Sequence, residues 1–189
     1  ITRKVDGKLR FITQVGTGNY NESTAKLYTD LCLMTANREF GEDGLRIFNG
    51  ILTEDPVENT RHLLAAPLAM KQVVLRYIDD EIRYASEGLP ARILVKINSL
   101  TDKDIIDRLI EASRAGVKIR MIIRGICCLR AGVPGYTDNI EVISIVGRFL
   151  EHSRIYVFGT PERSKIYISS ADFMTRNMER RVEVAAPVY

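Results

Sequence analysis

The chain has 189 residues, 46% of them hydrophobic and 27% charged, with a formal net charge of +3. This size allows one large or two small domains, and the balance is that of ordinary globular protein. No run of 18 apolar residues is present to suggest a membrane-spanning helix, and the mild charge does not by itself argue for a polyanionic partner. Cys32, Cys127 and Cys128 lie in apolar runs without metal-ligand spacing, and their odd number points to a reducing, cytosolic setting.

In chain order, Val5-Asp6-Gly7-Lys8 reads as a hairpin turn, with Arg10–Val15 as its second strand. A domain seldom opens inside a hairpin, so a fragment of a longer protein is expected. Gly16-Thr17-Gly18-Asn19 follows. Glycines let backbone approach an anion closely, although ordinary tight turns use the same residues. Asn21–Thr24 opens a short helical or looped segment that runs to Tyr28-Thr29-Asp30. Leu31–Thr35 is expected as a buried strand. Arg38–Leu52 is expected as a helix with Phe40, Leu45, Ile47, Phe48 and Leu52 as its apolar positions.

The polar segment Glu54–Thr60, which holds Pro56, is the best linker. Arg61–Ala66 reads as a strand ending at Pro67, with His62 a structural or surface histidine. Helical spacing runs over 68–87 and stops at Gly88. Ala91–Ile97 is a strand with Ile93, Val95 and Ile97 on one face. A helix over 102–115, capped by Thr101 or Asp102, and a central strand over 117–123 follow, and this strand–helix–strand order argues parallel pairing. Arg124 comes directly after, at the carboxyl end of a strand, where ligands gather in open α/β sheets. Cys127 and Cys128 are read as packing residues. Arg130–Asn139 is a loop long enough to cover an active site.

Ile140–Val146 is expected as a strand, and Gly147–Glu151 as a turn or loop that delivers His152. His152 and Arg154, two apart at the start of the strand Ile155–Phe158, point to one face. After a hairpin-like turn, the strand Lys165–Ile168 empties into Ser169-Ser170-Ala171-Asp172 and then Arg176-Asn177. This density of hydroxyl, imidazole, guanidinium and amide groups suits phosphate or another oxyanion. A last strand covers 181–187. Gly-Thr-Gly-Asn after the strand 10–15 and Ser-Ser-Ala-Asp after the strand 165–168 form an internal echo, as a duplicated domain would produce.

The run Ser144–Ile155, together with Arg124-Gly125-Ile126-Cys127-Cys128-Leu129, Ser169–Asn177, Gly16–Asn21 and Leu27–Asp30, resembles the C-terminal catalytic region of the long-chain bacterial polyphosphate kinases, in order and at that family's spacings. The resemblance implies an α/β fold: a phospholipase D-like mixed sheet flanked by helices, preceded by the remnant of a similar domain. Residues 1–57 would be the end of the first catalytic domain. Residues 58–189 would be the second, truncated at its C-terminus. Here the phospholipase D motif His-x-Lys stands as His152-x-Arg154, and its Gly-Ser-x-Asn-like turn as Ser169-Ser170.

The resemblance further implies reversible transfer of the terminal phosphate of ATP to inorganic polyphosphate, with Mg2+ accompanying ATP. The phosphohistidine of that reaction would lie upstream of Ile1. Tyr28, Arg124 and His152 carry over as nucleotide-binding residues, and Arg124 and His152 as catalytic ones. Gly16, Asn19, Arg154, Ser169, Ser170, Arg176 and Arg181 are weaker candidates for lining the phosphate path, with Arg148 and Arg180 beside them. No carboxylate cluster marks a metal site. The implied partners are ATP, ADP and polyphosphate rather than nucleic acid. The full-length enzyme is expected to be a cytoplasmic homo-oligomer, peripheral to the inner face of the membrane. Rival readings are a phospholipase D-like phosphodiesterase and a non-catalytic polyanion-binding module. Arg124, His152 and the Ser169-Ser170 turn are expected to converge on one pocket, with Tyr28 set apart from it if the first segment is displaced for want of its other half.

Overall fold

The computed structural model describes residues 1–53, 60–67 and 69–189. The chain opens with the antiparallel hairpin β1 (Thr2–Val5) and β2 (Lys8–Phe11). Its turn residues Asp6 and Gly7 both have positive φ, 49° and 75°, as the twist of a two-residue hairpin demands. The expected strand over 10–15 breaks at Ile12. Beyond it, β3 (Thr13–Gly16) pairs antiparallel with a different partner, β5 (Cys32–Thr35). Between them lie α1 (Glu22–Ala25), capped by the Asn21 side chain, and the two-residue strand β4 (Tyr28–Thr29).

β5 is not the buried strand expected. Leu33 turns inward and Met34 is 64% exposed, because a two-stranded sheet has only one covered face. The helix α2 (Arg38–Thr53) agrees with its expected span, but its buried stripe is Phe40, Asp43 and Ile47. Leu45, Phe48 and Leu52 face solvent.

The remaining elements are β6 (Leu64–Ala66), α3 (Met70–Ser86), β7 (Arg92–Ile97), α4 (Lys103–Arg114), β8 (Lys118–Ile123), β9 (Ile140–Ile143), β10 (Leu150–Glu151), β11 (Arg154–Phe158), β12 (Lys165–Ser169), α5 (Thr175–Glu179) and β13 (Glu183–Val188). Seven of these strands form one mixed sheet in the order β6-β13-β12-β11-β7-β8-β9. β7, β8 and β9 run parallel, and the other pairs are antiparallel. The parallel β7–α4–β8 unit and the β11–β12 hairpin agree with expectation. β8 is internal but next to the edge strand β9, so the middle of the sheet falls instead to β11.

Alternation along β7 decides the packing. Ile93, Val95 and Ile97 are buried in one core with Val74 and Ile78 of α3 and Ile105 and Leu109 of α4. Asp102, rather than Thr101, caps α4 by accepting from the Ile105 N–H at 3.1 Å. On the other face, a second core joins Phe40 and Ile47 of α2 to Leu63, Ala65, Ile168 and Ala186.

The expected linker, apart from Thr60, and the boundary at 57/58 lie outside the described residues. Two devices bind the first segment to the sheet. The buried Asp43 carboxylate in α2 accepts from the backbone N–H groups of Arg61, His62 and Leu63, at 2.9, 2.7 and 3.0 Å to Oδ2. β4 also pairs parallel with β10, Tyr28 opposite Leu150 and Thr29 opposite Glu151. Gly147–Glu151 is thus not all turn: its last two residues become a strand because β4 is there to pair with.

Candidate active site

The short β4–β10 ladder builds the site. Leu150 N–H donates to Leu27 O at 2.8 Å, and the N–H groups of His152 and Ser153 donate to Thr29 O at 3.2 and 3.0 Å. These bonds set the Tyr28 ring against the His152 ring, with centroids 4.6 Å apart and planes tilted by 39°. Tyr28 therefore does not stand apart from the site. The first segment is docked through the β4–β10 pairing, so the displacement that would set Tyr28 apart does not occur.

His152 is 8% exposed. Its Nδ1 lies 3.0 Å from Asp30 Oδ1 and its Nε2 lies 3.4 Å from Arg154 Nη1. A carboxylate only accepts and a guanidinium only donates, so these two contacts favour a proton on Nδ1 and a lone pair on Nε2. Burial holds the imidazole pKa below its ordinary value. Asp30 opposes that shift, and the Arg154 charge adds to it. The resting imidazole is neutral at neutral pH.

Arg154 lies at the start of β11 and is buried. Its Nε and Nη2 grip the two oxygens of Asp172 at 3.0 and 3.1 Å, and its Nη1 donates to Thr17 O at 2.9 Å. Asp172 also accepts from the Asn98 N–H at 2.7 Å, and Asn98 Oδ1 accepts from Arg124 Nε at 3.1 Å. A continuous series of bonds thus runs from Arg124 through Asn98, Asp172 and Arg154 to His152 and Asp30.

Arg124 and Tyr28 border one open cavity of about 440 Å³, with Leu27, Ile145, Arg148 and Phe149 around it. Gly16, Asn19, Tyr28 and Asp30 border a second one of about 270 Å³. His152 borders neither cavity, and the Ser169-Ser170 turn joins neither, so Arg124, His152 and that turn do not share either of these pockets as expected. Ser169 Oγ donates to Val184 O at 3.3 Å, and Ser170 Oγ bonds the Glu183 carboxylate and accepts from Val184 N–H at 3.1 Å, so both hydroxyls brace β12 against β13. Arg176, Arg180 and Arg181 are exposed in and just after α5 and border neither cavity. The segment 130–139 is a compact turn rather than a cover. Thr137 Oγ1 donates to Arg130 O and accepts from Val133 N–H, both at 2.8 Å, and the segment borders neither cavity. His62 is held between Glu39, 2.6 Å from its Nε2, and the Tyr189 hydroxyl, 2.8 Å from its Nδ1, in line with a structural role.

The family model for polyphosphate kinase C-terminal domain 2 matches residues 63–189, and that for C-terminal domain 1 matches residues 1–57. The chain belongs to the polyphosphate kinase family. The polyphosphate kinase of Bacillus anthracis is 47% identical to it over 188 residues, and that of Staphylococcus saprophyticus 51% over 188 residues; each match covers all of this chain. The chain spans 27% and 26% of the length of these two curated relatives. The crystal structure of the polyphosphate kinase from Porphyromonas gingivalis superposes with a TM-score of 0.89 at 41% identity, over 97% of this chain and 28% of that one.

Within this polyphosphate kinase segment, sequence reasoning assigned no role to Thr17, Asp30, Asn98 or Asp172. Asp30 and Asp172 stand inside the matched motifs, and that was their only signal, since their partners are remote in sequence. Among the described residues no group of three or more His, Cys, Asp and Glu side chains is disposed to hold a metal ion. Asp30, the carboxylate bordering the smaller cavity, is already engaged by Thr17 and His152. Among the described residues, the carboxylates at the two cavities thus make no ligand set for a magnesium ion.

Proposed function

We propose that these residues form the nucleotide side of a site that moves the terminal phosphate of ATP to polyphosphate, reversibly, in the full-length protein. The phosphohistidine of that reaction would come from outside this chain. The observation that carries the reading is the joint placement of Tyr28 and Arg124 on one cavity with His152 against the Tyr28 ring. Tyr28 stacks on the base or bonds a phosphate oxygen. Arg124, preorganised by its bond to Asn98, offers donors to phosphate oxygens and offsets charge that develops during transfer. His152 can serve as acid for the departing ADP only as imidazolium, with the proton at Nε2 taken from solvent before transfer and returned to the imidazole from solvent afterwards. Magnesium enters this reading with the nucleotide, through phosphate oxygens or through residues outside this chain. A cytoplasmic homo-oligomer, peripheral to the membrane, belongs to the same reading and rests on the family resemblance alone.

A phosphodiesterase is disfavoured because Arg154, in the place of the phospholipase D lysine, is committed to Asp172 and Thr17. Calorimetric titration of this chain with magnesium and ATP tests the proposal. Binding that is weakened by Tyr28→Ala and by Arg124→Ala, but not by His62→Ala, supports it. Binding indifferent to Tyr28 and Arg124 sinks it.

A further inference from the structure

The Gly16-Thr17-Gly18 turn looks from sequence like a phosphate loop. In the folded chain it already holds an anion, the carboxylate of Asp30. Thr17 is 1% exposed, and its hydroxyl donates to Asp30 Oδ1 at 2.8 Å while accepting from Leu31 N–H at 3.0 Å. Thr17 N–H donates to Leu31 O at 2.9 Å, locking the turn to the chain on both sides of the hydroxyl. A Cβ on Gly18 would overlap the Asp30 carboxylate, so only glycine lets that group lie against the turn. The same Oδ1 that receives Thr17 receives His152 Nδ1. The Thr17 carbonyl receives Arg154 Nη1, the group that faces His152 Nε2. One residue of the first segment thus touches the partner of each ring nitrogen of a histidine in the second.

We propose that Thr17 and Gly18 are positioning residues for His152: the turn cradles the Asp30 carboxylate, and the carboxylate so held sets which imidazole nitrogen carries the proton. The cradle keeps Nδ1 protonated and leaves the Nε2 lone pair as the group that exchanges a proton. The importance of this for transfer rests on the proposed role of His152; the tautomer does not. The charged and titratable groups around the imidazole are Asp30, Arg154, Asp172 and the Tyr28 phenol.

The experiment is long-range 1H–15N correlation spectroscopy on this chain, uniformly 15N-labelled, at neutral pH. The chain has two histidines, and a His62→Gln sample assigns the signals. The expected result is the Nδ1–H pattern for His152. Thr17→Val and Gly18→Ala should each convert it to a mixture or to the Nε2–H pattern, and Thr17→Ser, which restores the hydroxyl, should keep the native one. An Nε2–H pattern in the unsubstituted chain overturns the proposal without any variant. So does an unchanged pattern in folded Thr17→Val or Gly18→Ala. Because the readout is a tautomer and not turnover, failure of nucleotide binding would sink the functional reading and leave this one standing.

Discussion

The Asp30 carboxylate and the His152 imidazole, 122 residues apart in sequence, meet at 3.0 Å. Their contact spans the two regions matched as separate family domains, and the β4–β10 pairing brings them together. Asp30→Ala would leave the largely buried Nδ1–H without an acceptor. Such a loss costs about 1–3 kcal/mol. The melting temperature of Asp30→Ala should fall accordingly, whereas Asp30→Asn, which keeps an acceptor oxygen, should recover part of the difference.

The depressed pKa of His152 has a definite sign in stability. Unfolded, the imidazole titrates near 6.5; folded, it titrates lower, chiefly through burial. The unfolded chain therefore binds the extra proton first as pH falls. The stability linked to the neutral imidazole is complete above 6.5 and is lost as pH drops through the folded value. The difference in stability between the native chain and His152→Gln should be larger at about pH 8 than at about pH 5, well to either side of the ordinary histidine value. Denaturant melts at the two pH values measure it, and an equal difference at both contradicts the shift.

Arg154 and Asp172 form a two-pronged ion pair whose side chains are 9% and 10% exposed. Removing one partner strands the other charge in the interior, at a cost of about 3–5 kcal/mol. Arg154→Met and Asp172→Asn should each approach that loss, and a double-mutant cycle should show strong coupling. Arg154→Lys should not restore stability, because an ammonium lacks the planar fork that bonds both oxygens and also reaches Thr17 O.

Transfer itself gives the sharpest functional contrast. In a full-length protein carrying these residues, Arg124→Ala and His152→Ala should each slow phosphoryl transfer by about 10²–10³, the usual effect of losing one preorganised donor to developing charge. His62→Ala should leave it nearly unchanged, since His62 is bound to Glu39 and Tyr189. The 189-residue chain alone should acquire no acid-labile phosphohistidine from ATP. Its appearance would make His152 the nucleophile.

Local periodicity makes much of the fold legible in the sequence. The apolar spacing over 70–86 and 103–114, the alternation of Ile93, Val95 and Ile97, the Asp6-Gly7 turn and the strands around Gly159 all concern neighbours in sequence, whose geometry one period dictates. The motifs around Tyr28, Arg124 and His152 carried the family. Tertiary structure decided what those motifs touch. Ser169 and Ser170 read as phosphate ligands, yet their hydroxyls are taken by β13. Arg154 reads the same way and is taken by Asp172. Gly16-Thr17-Gly18 reads as an anion turn and is one, for an anion of this same chain. A buried polar group must find a partner, but the sequence states only the need. Which partner meets it depends on chain segments that packing brings together from more than a hundred residues away, as Asp30 and Thr17 are brought to His152 and Arg154.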